Sequence, residues 1–517
     1  MYEFSFNNTH ISSFRIKISD IYKKLSSLKT DSGPGPDGIP PTLLKSLSFI
    51  LSRPLFHIFN CSLATSTFPN FWKVSFLTPI HKTGDRSLAT NYRPISILSV
   101  IPKVFESLFC DFLSPILDPV LNDHQFGFRP RRSTEGNLLT HIDYLSNALE
   151  NGHQVDTIYT DFSKAFDRVS HDILLNKLRV LGLNAPLLLW LRSYLCGRRQ
   201  IVRIANFYSY EIEIPSGVPQ GSHLGPLLFN VFINDIQECF SHSQFQLFAD
   251  DLKFSSIIAN ESDHDKLQYD LNNLVDWCQR NGMSLNPEKC KTLSVYRGRY
   301  LSNFNYSING VILESSTKIK DLGVTLDSSL NFVSHVASVV SMGFQMLGFI
   351  KRCTVDFTGI AAIKRLYCSL VLPHLTYASC VWSPCYAIHR QSLERVQHKF
   401  LKYAAFKMNI IFQDDEQMLS ILGLPSVLVR HQIRDLQLLY NILHNRSSIP
   451  ELLQKINIRV PLRVTRSTPS FFVPTHRTNY SHNNFLSRAS RLANAHSQID
   501  MFSTHQNFQR QLRVDFS

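Results

Sequence analysis

The sequence predicts an α+β domain followed by a helical one, and two observations carry the prediction. From residue 42 to about 330, apolar stretches at helical spacing alternate with short β-branched and aromatic runs, the pattern of helices packed on strands. From 331 to 445 the strand signal fades, and KRLYCSLVLPHLTYA, QSLERVQHKFLKYAA and VRHQIRDLQLLYNILHN read as consecutive helices. A chain of 517 residues, 44% of them hydrophobic and 18% charged, is large enough to bury several cores.

Taken in order, residues 1–41 open with Ile11, Phe14, Ile18, Ile21 and Leu25 among lysines, an amphipathic helix. The following DSGPGPDGIPP is a shaped loop, since its glycines and prolines forbid helix and strand interiors. Residues 42–330 form the α+β unit and 331–445 the helical one. The last segment, 446–517, carries ten Lys and Arg against Glu451, Asp500 and Asp515, with weak periodicity. It reads equally as a flexible basic arm or as a poorly ordered end.

Composition narrows the function classes. Lys and Arg number 53 against 40 Asp and Glu, and the net charge of +13 suits a polyanionic partner. No stretch approaches the ~18 apolar residues of a membrane span; the best run, Leu224 to Ile233, is broken by Asn230. No membrane role is expected, and the first residues lack the pattern of a signal peptide. Ten scattered cysteines without a CxxC pair fit reduced thiols and an intracellular location. Cys380, Cys385 and His389 lack the compact spacing of a zinc site and are expected as thiols, not ligands.

Three carboxylates carry the chemistry. VDTIYTDF ends in Asp161, a strand-end position, and Phe166, Val169, Ile173, Leu174, Leu178 and Leu181 then recur at helical spacing, with Ser163 as the expected cap. Asp167 falls in the first turn of that helix, where the dipole favours a negative charge. In FQLFADDLKFS, Asp250 and Asp251 sit between two apolar runs, as a turn joining two strands. Alone, the Asp-Asp pair reads as a solvated turn. Beside Asp161 it would make a cluster of hard oxygen donors for two Mg²⁺ ions roughly 3.5–4 Å apart, able to activate a 3′-hydroxyl and stabilise a leaving pyrophosphate.

Other segments supply cations and a pocket. In TPIHKTGDRSLATNYRPISIL, Lys82 and Arg93 flank a Gly-Asp turn and can aim at one triphosphate, or lie as ordinary surface charge. SGVPQGSHLGP builds a glycine-proline turn before a core helix and presents Gln220 beside Gly221, where a backbone can approach a ligand. QFGFRPRRST places Arg129, Arg131 and Arg132 beside Phe126 and Phe128, a mixture that can track a nucleic-acid backbone, with a solvated loop as the competing reading.

In order, GPGPDGIP, LTPIHKTGD, NYRPISIL, HQFGFRPRRST, YTDFSKAFDRVSHDILL, SGVPQGSHLGPLLFNVFIND, FADD, LNPEKCKTL and KDLGVTLDSSLNF resemble the successive motifs of non-LTR, LINE-type retrotransposon reverse transcriptases, the jockey and CR1-like groups in particular, from about residue 33 to 445. The resemblance implies a right-hand polymerase fold: fingers and palm with an antiparallel sheet at 42–330, and an α-helical thumb at 331–445. It implies an RNA template, a DNA primer and dNTPs, with two Mg²⁺ ions, for which Mn²⁺ can substitute, on Asp161, Asp250 and Asp251. Lys82 and Arg93 would hold the triphosphate and Gln220 would line the nucleotide pocket. Lys289, with Lys291 as its rival, would protonate the pyrophosphate. Leu322, Gly323 and Val324 resemble the loop that grips the primer end. Phe166, five residues after Asp161, can lie under the sugar and exclude a 2′-hydroxyl, or serve as a core helix position, and both can hold if one edge packs while the other faces the pocket. His223 departs from the small or branched residue more usual in the family.

Relatives of this kind usually carry an endonuclease, and some an RNase H; neither pattern is found, so the expectation is a polymerase portion that is either truncated or served by a separate endonuclease. The leading expectation is an RNA-directed DNA polymerase. The alternative is a catalytically silent, truncated nucleic-acid-binding remnant, and turnover distinguishes the two.

Overall fold

The computed structural model describes residues 14–82, 84–298, 301–459 and 469–516. Ile11 of the expected N-terminal helix and Thr83 of the Gly-Asp turn lie outside these. The first sheet contains β1 (Val74–His81), β2 (Tyr92–Ile97), β4 (Arg198–Ile204), β5 (Phe207–Tyr208) and β6 (Ile212–Ile214). β1 pairs antiparallel with β2 and parallel with β4. The central sheet has the order β12-β9-β3-β8-β7, built from β3 (Gln154–Thr160), β7 (Gln244–Phe248), β8 (Asp251–Ile258), β9 (Lys291–Val295) and β12 (Glu314–Ser315). Its main pairings, β3 with β8, β3 with β9 and β7 with β8, are antiparallel. Two hairpins complete the strands: β10 (Ser307–Ile308) with β11 (Val311–Ile312), and β13 (Lys318–Asp321) with β14 (Val324–Asp327).

Side-chain alternation explains how the sheet sits. Ile158 of β3 and Phe254 of β8 enter one hydrophobic core with the helices Val100–Leu117, Leu224–Ile233 and Glu261–Arg280. Val155 of β3 and Leu293 and Val295 of β9 point the other way, into a second core with the helix Thr134–Glu150. Period-2 patterning thus gives each strand two buried faces. The cores do not divide at residue 330: Thr134–Glu150, early in the chain, belongs with the later helices.

At the N-terminal side, the helix Ile18–Ser26 buries Ile21 and Leu25, and Phe14 stands edge-on to Phe109 at 5.2 Å. An aromatic cluster beneath the first sheet stacks Phe59 on Phe105 at 4.4 Å and sets Phe68 edge-on to Trp190 at 5.7 Å. The indole N–H of Trp190 is satisfied by Ser62 at 3.0 Å.

Past residue 331 the chain is helical as expected, with Val333–Cys353, Ile360–Leu370, Ala387–Lys407 and Val427–Leu443 as its main members. Two expectations are corrected here. Val333–Cys353 is long and apolar enough to cross a membrane by length and composition, at mean hydropathy 1.5 over its best window; interleaved Ser, Gly and Ala hid it from a search for unbroken apolar runs. The tail, read as a flexible arm or a poorly ordered end, instead forms the helices Asn479–Asn483, Phe485–Ala495 and His505–Asp515. Their Phe485, Ala489, Ala493, Phe508 and Leu512 enter the second core. Arg488 makes a two-pronged pair with Asp435 at 2.7 and 3.0 Å, and Phe508 stacks on Tyr440 at 4.0 Å. All ten cysteines are free thiols.

Candidate active site

The three carboxylates meet at one end of the central sheet. Asp161 follows β3, and its backbone is pinned by Asn286 N–H donating to the Asp161 carbonyl at 2.8 Å and by Asp161 N–H directed at Cys290 Sγ at 3.5 Å. Asp250 lies in the two-residue turn between β7 and β8, and Asp251 begins β8. Burial, then the negative charge of Asp161, raises the Asp250 carboxyl above its ordinary range, opposed by its own backbone N–H and by Arg93 and Lys82. Asp251 is pushed up to about 6 by burial and by the charges of Asp250, Asp321 and Asp161, opposed by Lys253. Asp250 and Asp251 both feel the charge of Asp161, which lies far earlier in the chain.

Asp161 and Asp251 line a cleft of about 330 Å³ that four lysines also line: Lys289, Lys291, Lys318 and Lys320. Lys289 Nζ stands 3.6 Å from Asp161. Lys291 pairs with Glu314 at 2.9 Å, so of the two rivals Lys289 is the one beside the carboxylate. Among the described residues no group of three His, Cys, Asp or Glu closes into a metal cage. The donors on hand are hard carboxylate oxygens, with Asp250 and Asp251 raised in proton affinity by burial and then by neighbouring negative charge, a set that fits a hard divalent cation.

The segment after Asp161 differs from expectation. The helix begins at His171, preceded by a 3₁₀ turn over Ala165–Arg168, and Ser163 is not its cap. The reason lies in the SGVPQG loop: Val218 and Gly217 donate to the carbonyls of Phe166 and Val169, taking acceptors a helix would need. A Cβ at Gly217, where φ is +91°, would stand 2.8 Å from Asp167 Cα, so only glycine permits this pairing. Asp167 therefore has a different part from the helix-dipole one, accepting from Gln220 Nε2 at 2.9 Å. Gln220 and Asp167 line a second cleft of about 280 Å³, with Ser96 and Gln200 from the first sheet. Gly221 approaches that sheet closely enough that a Cβ would meet the Ser96 carbonyl at 2.7 Å.

Phe166 stacks on buried Phe229 with ring centroids 4.3 Å apart and meets Phe128 edge-on at 6.1 Å. Lys82 and Arg93 flank the β1–β2 turn, with Ile80 opposite Arg93 and Lys82 N–H donating to Asn91 O at 2.8 Å. His223, the departure from the family pattern, is held through its backbone, its N–H donating to Glu106 at 2.8 Å.

The arginine expectation is corrected for two of three residues. Arg129 is 8% exposed, and its guanidinium binds Asp118 at 3.0 Å and the carbonyls of Asn122 and Asp118. Arg132 pairs with Asp123 at 2.6 Å and lies over Phe126. Both forks are filled from within the protein; only Arg131 is exposed. Leu322 and Gly323 form the β13–β14 turn, held by Tyr377 Oη donating to Leu322 O at 2.9 Å.

Sequence reasoning missed Lys318, Lys320 and the buried Lys253–Asp321 ion pair, which ties β8 to β13 beside Asp251. The alternation in KIKD, exposed at Lys318 and Lys320 and buried at Ile319 and Asp321, was the available signal.

Residues 80–326 match the family described as reverse transcriptase (RNA-dependent DNA polymerase). The chain is 31% identical over 410 residues to the "probable RNA-directed DNA polymerase from transposon BS" of Drosophila melanogaster, covering 75% of this chain and 44% of that protein. It is 30% identical over 403 residues to the "RNA-directed DNA polymerase from mobile element jockey" of the same fly, covering 75% and 43%. It thus spans under half the length of these relatives. Among solved structures it is similar to a telomerase from Candida albicans, with a TM-score of 0.36 and 12% identity over 80% of this chain and 71% of that one.

Proposed function

We propose that the chain, whose residues 80–326 match the reverse transcriptase family, is the polymerase portion of a jockey-like non-LTR retrotransposon protein, extending a DNA primer with dNTPs on an RNA template. The observation that carries the reading is the convergence of Asp161, at the end of β3, with Asp250 and Asp251, at the β7–β8 turn, at one end of the central sheet. The fold is the α+β right hand: first sheet as fingers, central antiparallel sheet as palm, helices beyond as thumb.

Asp161, Asp250 and Asp251 would hold two divalent ions, Mg²⁺ with Mn²⁺ able to substitute. When bound, these supply charge neutralisation at the attacking and leaving oxygens of an in-line phosphoryl transfer. The protein's own groups do the rest. Lys82 and Arg93, whose charges already act on Asp250, hold the triphosphate, Arg93 through its fork and Lys82 as a point charge. Lys289 would hand a proton to the departing pyrophosphate, a role its position 3.6 Å from Asp161 supports. Lys318 and Lys320 give the cleft a phosphate-binding wall beside the Leu322–Gly323 turn, and Arg131 is the arginine left to meet nucleic acid. Phe166, backed by Phe229, would then exclude a ribose 2′-hydroxyl from the incoming nucleotide. Gln220, oriented by Asp167, faces the nucleotide from the fingers side.

Primer extension by the purified chain on an RNA template with dNTPs and Mg²⁺ tests this directly. Extension should vanish in an Asp250→Ala, Asp251→Ala double variant that still binds primer-template. If neither protein extends while both bind, the silent-remnant alternative replaces the polymerase reading.

A further inference from the structure

We propose that Gln125 is a positioning residue for the metal carboxylates: its buried carboxamide fixes the backbone of Ala249, and through it the place of Asp250. The inference rests on the polymerase reading above and goes beyond it in naming what holds the catalytic turn.

β7 is an edge strand of the central sheet, and its turn into β8 has no neighbouring strand to bond. The segment His124–Gly127 takes that place. Phe126 N–H donates to Leu247 O at 2.8 Å, and Leu247 N–H donates to His124 O at 2.9 Å. At the turn itself a side chain replaces the ladder. Gln125 is 2% exposed; its Oε1 accepts from Ala249 N–H at 3.0 Å and from Gly127 N–H at 2.8 Å, and its Nε2 donates to Ala249 O at 3.2 Å. Both peptide groups of Ala249 are thereby satisfied by one amide. Among side chains only a carboxamide of this length offers donor and acceptor together in that fork.

Ala249 needs such a hold. Its φ is +58°, in the left-handed region that an alanine rarely adopts, and the next residue carries one of three mutually repelling carboxylates. Gly127 lets the clamp come close: a Cβ there would stand 2.2 Å from Ala249 N. Asn230 Nδ2 donates to Gly127 O at 2.9 Å, anchoring the clamp to the core helix. A backbone held in an unfavourable conformation beside repelling charges will relax when its bonds are removed. A displacement of about 1 Å in a reacting group costs on the order of 100-fold in rate.

The test uses the full chain with Gln125→Met, which keeps length and volume but has no donor and only a weakly accepting sulfur, and with Gln125→Met combined with Ala249→Gly. Mn²⁺ binding is read from the paramagnetic resonance of the free ion, and single-nucleotide extension is followed against Mg²⁺. In Gln125→Met the Mn²⁺ dissociation constant should rise at least about fivefold and extension fall about 100-fold, with primer-template affinity within about twofold. Ala249→Gly should restore about tenfold of the lost rate, because glycine takes the left-handed conformation without strain; a role in general packing predicts no such rescue. A folded Gln125→Met protein with wild-type Mn²⁺ affinity and rate overturns the proposal. Should that variant fail to fold, hydrogen exchange at Ala249 in the wild type decides: protection equal to the core strands supports the clamp, and free exchange overturns it. A wild type that binds Mn²⁺ but extends no primer removes the polymerase reading, while the Mn²⁺ and exchange data still judge the clamp.

Discussion

Two hairpins bring charge to the site, and they are held in opposite ways. The β7–β8 hairpin, bearing Asp250 and Asp251, is fastened by buried polar groups: Gln125 on Ala249, Asn137 Nδ2 on Leu247 O at 3.1 Å, and the Lys253–Asp321 pair beneath β8. The β1–β2 hairpin, bearing Lys82 and Arg93, is half open to solvent, with Ile80 50% and Leu88 53% exposed. Carboxylates that must share cations against their own repulsion need a backbone that cannot yield. Cations that meet a ligand carrying its own negative charge need only be within reach.

If that contrast is right, the largest loss of stability follows Asp321→Asn, which leaves Lys253 buried without its partner. The expected cost is about 3–5 kcal/mol in urea unfolding, recovered in most part by Lys253→Met with Asp321→Leu. A double replacement no more stable than the single one would mean that the pair does not secure the hairpin.

Acid should loosen the same support. His335 accepts from Thr325 N–H of β14 at 3.2 Å, and burial, then the charge of Lys320, lowers its pKa to about 4. The unfolded chain takes its proton near pH 6.5 and the folded chain only near 4, so this stability is complete above 6.5 and drains away as pH falls toward 4. The expected contribution is about 3 kcal/mol, and His335→Gln should flatten that part of the pH profile. An unchanged slope would strike the assignment to His335.

The open hairpin should behave otherwise. Arg93→Ala is expected to raise the dNTP KM about 30-fold by removing a charge-assisted contact, while the unfolding free energy moves by less than about 0.5 kcal/mol. A large stability loss there would erase the contrast. The smallest effect is at the sugar: Phe166→Val should raise ribonucleotide incorporation about tenfold with stability nearly kept. Unchanged dNTP/rNTP discrimination would take Phe166 out of that role.

What could be read from the sequence was local. The strand ending at Asp161, the hairpin at Asp250 and the hairpin between Lys82 and Arg93 each show in a short window of alternation and turn chemistry, and each forms. What could not be read depends on partners far away. Nothing near Arg129 says that Asp118 and two carbonyls will fill its fork, and nothing near Ala249 says that a glutamine more than a hundred residues earlier will bond its peptide groups. The helix start misplaced at Ser163 belongs with these, since the competing donors come from Gly217 and Val218. The tail was misread because its apolar residues are sparse and its packing surface belongs to other helices.

That tail has a consequence for the order in which the molecule comes together. Residues 16–313 supply the first core, so it can close while the chain is still being synthesised. The second core waits. It joins Leu138 and Leu145 to Phe508 and Leu512, and Glu150 is met by the backbone N–H of Thr478 at 3.0 Å. The helix backing the catalytic sheet thus keeps part of its surface open until the Thr478–Asn483 segment has left the ribosome, and an early stop in translation would leave a finished first core beside a surface prone to aggregate.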